Sequence, residues 1–126
     1  MEIAPGLAGS ATCVVSDSDT AIAHRSGDVP VLSTPRLVAL CEEAACAALE
    51  GCLAPDTTSV GTHVEIDHIA PSPPGATVLA RAEVERVEGR KVNFMVSASD
   101  GKGAVASGRI VRALVHRESF LSKLSV

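Results

Sequence analysis

The segment STPRLVALCEEAACAALE, residues 33–50, predicts one long helix on which the fold depends. Ser33 or Thr34 is a favourable N-cap, and Pro35 suits the first helical turn. Between residues 37 and 49 every position is apolar except two adjacent glutamates, and a helix that is apolar all round is normally buried. We therefore expect this helix to lie at the centre of the core.

Glu42 and Glu43 are the two exceptions. Neighbouring helical residues point about 100° apart, so one carboxylate can reach solvent while the other faces inward. An inward carboxylate costs several kcal/mol unless it is paired or hydrogen-bonded. We interpret Glu42 as a candidate catalytic group, whereas Glu50 at the helix end is expected to be solvated.

Thr34 is a second candidate, at the start of the same helix. A threonine there can simply cap the helix, but a helix N-terminus also favours developing negative charge. Thr34 and Glu42 are eight residues apart, which is about 12 Å along a helix axis. The two side chains are therefore expected to border one elongated slot without touching.

Strand patterns surround the helix. A short strand is predicted before it and four longer ones after it, at residues 11–15, 59–70, 77–87, 91–99 and 104–116. Because there is no βαβ alternation, the pattern favours an α+β fold. We predict one domain over residues 1–126, with an antiparallel sheet of meander-like order curled round the helix. The irregular segment 19–30 is interpreted as a flap, and residues 118–124 as a helical turn.

His68 is the third candidate. Strand alternation places it with the apolar residues of its strand, which are Val60, Val64 and Ile66. Gly61 and His63 then fall on the opposite face. A histidine on an apolar face is often only a core residue, but a buried imidazole near a carboxylate is suited to general-base work or to polarising a carbonyl. We rank His68 above the other three histidines, His24, His63 and His116.

The composition excludes several functional classes. The net charge is −4, and there is no cluster of basic residues, which argues against nucleic-acid binding. There is no Trp or Tyr, and the N-terminal segment shows no signal peptide or membrane span. The spacing of the four cysteines fits neither a metal site nor a disulfide framework, so we expect small buried thiols in a reducing cytoplasm; they are Cys13, Cys41, Cys46 and Cys52.

With these residues aligned, the chain resembles the hot-dog fold thioesterases, and specifically the fluoroacetyl-CoA thioesterase group. Two segments carry most of the likeness: STPRLVALCEEAA at residues 33–45 and SVGTHVEIDHIAPSPPG at residues 59–75. The Glu-Gly-Arg turn at 88–90 and the S-x-x-D-G turn at 97–101 add to it. The likeness runs from about Val31 to His116.

The resemblance implies a catalytic set of Thr34, Glu42 and His68, and it aligns Gly61 with a glycine whose backbone lies at the acyl site. It also implies homodimers with two active sites at the subunit interface. The substrate would be an acyl-CoA or acyl-carrier thioester, with no metal or prosthetic group and with coenzyme A present only as part of the substrate. The flap differs: residues 24–31 contain no aromatic residue, whereas the fluoroacetyl-specific enzyme has phenylalanines there.

We therefore expect thioester hydrolysis. Glu42 would act as nucleophile or general base, His68 would polarise the carbonyl or relay protons, and Thr34 would hydrogen-bond to the glutamate or the carbonyl oxygen. One alternative is a non-catalytic dimer that binds or senses acyl thioesters. Another is a hot-dog dehydratase, which the lack of any histidine in residues 37–50 disfavours. The D-x4-H spacing of Asp19 and His24 is interpreted as chance because both precede the helix.

Overall fold

The computed structural model describes residues 2–125, and within them one sheet packs against one long helix. The elements in chain order are β1 (Ala8–Val14), α1 (Ala21–His24), α2 (Thr34–Leu49), β2 (Thr57–His68), β3 (Thr77–Glu88), β4 (Lys91–Asp100), β5 (Gly103–His116) and α3 (Arg117–Ser122). A short 3-10 turn at Asp17–Asp19 precedes α1. The α+β architecture and the long helix are confirmed.

Helix α2 begins as its sequence predicts. Ser33 is the N-cap, and its hydroxyl accepts a hydrogen bond of 3.0 Å from the backbone N–H of Arg36. One side of the helix is buried, through Leu37, Leu40, Cys41, Ala44, Ala45, Ala48 and Leu49. On the other side Ala39, Cys46 and Ala47 are exposed. Burial all round the helix is therefore not observed in the single chain, because the sheet covers only one side.

The sheet is antiparallel, with strand order β1-β3-β4-β5-β2. Strands β3, β4 and β5 form the predicted meander, but β2 does not pair with β3. It lies beside β5 at the edge of the sheet. The linker contains prolines at 71, 73 and 74, which cannot donate backbone hydrogen bonds, so the chain crosses to the far side of the meander instead of forming a hairpin.

The core consists of small and medium aliphatic side chains between α2 and the sheet. The predicted inward faces of β3 and β4 are confirmed as buried, through Val78, Ala80, Ala82 and Val84 and through Val92, Phe94, Val96 and Ala98. Strand β1 crosses α2 closely at Gly9. A Cβ atom there would lie 2.2 Å from the backbone N of Ala48 and 2.7 Å from the backbone O of Ala44.

Strand β2 differs from its predicted alternation. A bulge lies between Gly61 and His63, so Gly61 pairs with Arg112 while Val64 pairs with Ile110. The extra residue of a bulge reverses the alternation that precedes it. Gly61 therefore lies on the same inward face as Val64 and His68, and its predicted placement on the opposite face was wrong.

The cysteines divide into two kinds. Cys13 and Cys41 are buried, and burial, together with the neighbouring Glu42 charge, raises the pKa of the Cys41 thiol to about 11. Cys52 is half-buried, and Cys46 is exposed, so the prediction of buried thiols was wrong for Cys46. All four are free thiols. Within residues 2–125, no helix is long and apolar enough to cross a membrane.

The contact between Gly9 and α2 gives a direct test of the packing. Gly9→Ala should lower the free energy of unfolding by about 3 kcal/mol, because the added methyl group meets helix backbone that cannot rotate away. The measurement is chemical denaturation followed by circular dichroism. Gly101→Ala is the matched control, since a Cβ there has no atom within 4 Å. Equal stabilities for the two variants would contradict the close approach.

Candidate active site

Thr34 and His68 form a hydrogen-bonded pair. Thr34 is the first residue of α2 and His68 the last residue of β2, and Thr34 Oγ1 lies 2.8 Å from His68 Nδ1. Ser33 caps the helix, so the Thr34 hydroxyl is free for this contact. A hydroxyl that donates to a neutral imidazole is the arrangement from which a nucleophile is activated. The structure thus brings two of the three predicted catalytic residues together.

The surroundings of His68 favour its neutral form. Burial lowers the pKa of His68 below its ordinary value of 6.5, and the nearby Ala70 carbonyl opposes this less strongly. Its Nε2 atom is buried and makes no hydrogen bond of normal geometry to the described residues. A neutral imidazole at neutral pH can accept the Thr34 proton through Nδ1.

A cavity of about 320 Å³ opens beside this pair. The flap forms one wall, through residues that include Gly27, Val29 and Val31, and the end of β2 with the following residues forms the other. The flap predicted at residues 19–30 is therefore present, with α1 inside it. Its base is held by a backbone hydrogen bond of 2.8 Å from Ala21 N to the carbonyl of Val31.

Glu42 lies in a second polar cluster, formed with Arg112 and Gly61. Arg112 Nη1 donates to Glu42 Oε2 at 3.1 Å, and the Glu42 side chain is 34% exposed. A Cβ atom on Gly61 would lie 2.2 Å from the same carboxylate oxygen, so any larger residue here would displace this oxygen. The inward orientation predicted for Glu42 is therefore observed, and Gly61 lies directly against it.

Arg112 is the residue that the sequence prediction missed. It is only 7% exposed, although it is charged. Nε donates to Ser59 Oγ at 2.9 Å, and Nη2 donates to the Ser59 carbonyl at 3.0 Å, which leaves Nη1 directed at Glu42. A buried guanidinium needs such partners on every side. The one available signal was an arginine in an otherwise apolar stretch of β5.

Glu43 takes the outward position. Its side chain is 56% exposed, and it accepts a hydrogen bond of 3.3 Å from Arg36 Nη1. Arg36 Nε also donates to Asp19 Oδ1 at 3.2 Å. The hydrogen bond from the Ser16 backbone N–H, with help from Arg36, holds the pKa of Asp19 below its usual range. These groups hold the flap base to α2.

The remaining histidines lie outside both clusters. His24 contacts the hydroxyl of Ser33, and Asp19 bonds elsewhere, so the D-x4-H pair does not form. His63 is exposed on β2. His116 caps α3, where its Nδ1 accepts from the backbone N–H of Ser119 at 3.4 Å. No group of three or more metal-ligating side chains occurs among residues 2–125.

The two clusters do not touch within the chain. Thr34 Oγ1 bonds to His68, whereas the carboxylate of Glu42 bonds to Arg112. Thr34 meets the end of β2 at His68, and Glu42 lies against Gly61 further along the same strand. The chain therefore carries two separate polar clusters, whose residues Thr34 and Glu42 are about 12 Å apart along the helix axis.

Comparisons of the sequence and of the structure with known proteins point to the same family. The family model described as "FlK: Fluoroacetyl-CoA-specific thioesterase" matches residues 15–118. The fluoroacetyl-CoA thioesterase of Streptantibioticus cattleyicolor is 40% identical over 94 residues, which cover 75% of this chain and 68% of that protein.

The chain belongs to the fluoroacetyl-CoA-specific thioesterase family.

Solved structures agree. The fluoroacetyl-CoA thioesterase FlK superposes with a TM-score of 0.93 at 32% identity, over 98% of this chain and 96% of that one. A threonine-to-serine mutant of FlK in complex with acetyl-CoA superposes with a TM-score of 0.91 at 32% identity, over 97% and 96% of the two chains. The predicted family and the hot-dog fold are thus both confirmed.

Proposed function

We propose that this protein is an enzyme that hydrolyses acyl-CoA thioesters, with Thr34, His68 and Glu42 as its catalytic groups. The observation that carries the proposal is the hydrogen bond of 2.8 Å between Thr34 and His68 at the mouth of a cavity. The family supports the substrate class, since its relatives include a named fluoroacetyl-CoA thioesterase and a thioesterase bound to acetyl-CoA.

The first step is transfer of the acyl group to Thr34. His68 Nδ1 takes the hydroxyl proton while Thr34 Oγ1 attacks the thioester carbonyl. The C–S bond then breaks, and the coenzyme A thiolate leaves with the proton that His68 held. The N-terminus of α2 favours the negative charge that develops on the carbonyl oxygen.

The second step is hydrolysis of the acyl-threonine ester. Glu42 takes a proton from water as the water oxygen attacks the ester carbonyl, and the Thr34 oxygen then leaves with that proton, which Glu42 returns to it. Arg112 and Gly61 would position this carboxylate, because one holds Glu42 Oε2 at 3.1 Å and the other leaves space for it. In this scheme Arg112 orients the general base and does not touch the reacting atoms.

The separation of these two clusters, which we take as half-sites, supports a homodimer whose sites are shared. Thr34 and Glu42 of one protomer are about 12 Å apart along the helix axis and bond to different partners, which disfavours their meeting at one carbonyl carbon. Strand β2 is an edge strand with no buried residue, and exposed apolar side chains such as Val64 lie along it. If the β2 strands of two protomers paired at their edges about a two-fold axis, each protomer would cover the exposed side chains of the other. We propose that Glu42 of the partner subunit completes the Thr34–His68 site.

A groove of about 490 Å³ between α2 and β2 supports the same assembly. It is lined in part by Cys46, Ala47 and Leu53, which are small or apolar groups left open in the single chain. Coenzyme A enters only as part of the substrate, since hydroxyl, imidazole and carboxylate supply every group that the two steps use. We further propose a cytoplasmic location, which the four free thiols support.

Substitution of each half-site should separate the two steps. Glu42→Gln should cut kcat by two or more orders of magnitude and still release a burst of about one coenzyme A per site, because only deacylation needs the carboxylate. Thr34→Ala should abolish the burst. The measurement is stopped-flow detection of free thiol with acetyl-CoA, together with intact mass of the quenched protein.

Glu43→Gln is the matched control, since Glu43 is the adjacent residue but lies in solvent beside Arg36. It should stay within about twofold of wild type. A near wild-type rate for Glu42→Gln, or equal losses in both glutamine variants, would exclude the assigned role of Glu42. Wild-type protein that binds acyl-CoA without turnover would instead identify a binding or sensing protein.

The pH dependence should report the buried imidazole. Because burial lowers the pKa of His68, the base stays neutral to lower pH than an ordinary histidine. The acid limb of kcat/KM should therefore have its midpoint below pH 6.5, with activity lost as the pH falls through that value. His68→Asn should lose most of the activity, and the acid limb should disappear from its pH profile. A midpoint above 6.5 would contradict the assignment.

A further inference from the structure

The cavity beside Thr34 and His68 is lined by neutral and mainly aliphatic groups. Its twelve lining residues include Ala21, Val29, Val31, Thr34, His68 and Ile69. None of these described residues carries a carboxylate, an ammonium or a guanidinium group. Resting on the proposed function, the geometry points to an uncharged aliphatic acyl group of about four to eight carbons as the preferred substrate, not fluoroacetyl.

The size of the cavity favours a longer chain. Its volume of about 320 Å³ equals roughly ten times the share of one water molecule in the liquid. A fluoroacetyl group has four non-hydrogen atoms and would leave most of this space unfilled. Each methylene buried against aliphatic walls improves binding by about fourfold. Chains that reach Val29 and Ile69 should therefore bind better than two-carbon groups.

The lining that this chain supplies offers no cationic partner to an acyl group that ends in a carboxylate. Burial of an unpaired carboxylate is costly, and the lining offers it only hydroxyls and one neutral imidazole. The flap does carry charges at Arg25 and Asp28, but both are exposed and neither lines the cavity. The charged groups of the flap thus face water, whereas Val29 and Val31 line the cavity.

The flap wall has a defined backbone. The N–H of Ser26 donates to the carbonyl of Ala21 at 3.0 Å, and the N–H of Leu32 donates to the carbonyl of Ser72 at 2.8 Å. Thr20 and Leu32 form an isolated β-bridge. These bonds hold both ends of the flap, and the N–H of Val31 donates to the carbonyl of Val29 at 3.0 Å, next to the wall that Val29 lines. Side-chain size at this position should therefore set the acyl length.

Binding of non-hydrolysable thioethers tests the inference without turnover. Isothermal titration calorimetry of wild-type protein with S-ethyl-CoA, S-butyl-CoA and S-hexyl-CoA should give a Kd that falls at least tenfold from ethyl to hexyl. In hydrolysis, pentanoyl-CoA should exceed both fluoroacetyl-CoA and glutaryl-CoA in kcat/KM by at least tenfold. Glutaryl has the same number of carbons as pentanoyl but ends in a carboxylate.

Val29→Phe locates the acyl chain in this cavity. It should weaken S-hexyl-CoA binding at least fivefold and leave S-ethyl-CoA within twofold. Ile22→Phe is the matched control: Ile22 is an aliphatic flap residue of similar exposure, 52% against 50% for Val29, but it does not line the cavity. This control should leave both affinities within twofold. Thermal unfolding of both variants checks that the fold is intact.

The results separate the two proposals. If no acyl-CoA is hydrolysed while the Kd still falls with chain length, the proposed hydrolysis fails and the cavity assignment stands. If hydrolysis occurs but fluoroacetyl-CoA is the best substrate, or if Kd is independent of chain length, the acyl assignment is overturned and the hydrolase assignment stands. Equal effects of Val29→Phe and Ile22→Phe would also overturn it.

Discussion

The close approach of α2 to β1 and β3 determines which strands the helix covers. Alanines on the buried side of α2 and the missing side chain of Gly9 let helix and strand backbones nearly touch. A helix held there covers β1 and β3 and leaves β2 without a buried residue. Thr34 and Glu42 both meet β2, at His68 and at Gly61, so the packing of the core determines where chemistry can occur.

The bulge in β2 has a comparable effect on a smaller scale. It reverses the alternation at Gly61, and the glycine then faces the carboxylate of Glu42. Arg112, which pairs with Gly61 across the two strands, points inward and donates its other hydrogen bonds to Ser59. One extra residue in a strand thus places a polar cluster beside an aliphatic core, and part of the sheet becomes half of a candidate active site.

Much of this was predictable from the sequence, and the failures share a cause. Local periodicity within a single segment determines the helix limits and the buried faces of β3 and β4. It also determines that Glu42 faces inward while Glu43 faces solvent. The place of β2 in the sheet and the bulge at Gly61 depend on pairing with β5, a segment about fifty residues away. Arg112 was missed for the same reason, because its partners are all distant in sequence.

The family resemblance implies a site of Thr34, Glu42, His68 and Gly61, but it does not divide them into two groups. That division comes from the geometry: Thr34 with His68 at one end of α2, and Glu42 with Arg112 and Gly61 further along. It makes the two-fold symmetry of a dimer a functional requirement in our account. The flap without aromatic residues then leaves an aliphatic chamber beside the threonine.

A mixed dimer tests whether each active site is shared between two protomers. One protomer would carry Thr34→Ala and the other Glu42→Gln, with different affinity tags so that only the heterodimer is purified. If each site takes Thr34 and His68 from one protomer and Glu42 from the other, one site collects both substitutions and the second site is intact. A shared site should then give about half of the wild-type kcat per dimer. Activity no higher than that of either mutant homodimer would contradict the sharing of sites.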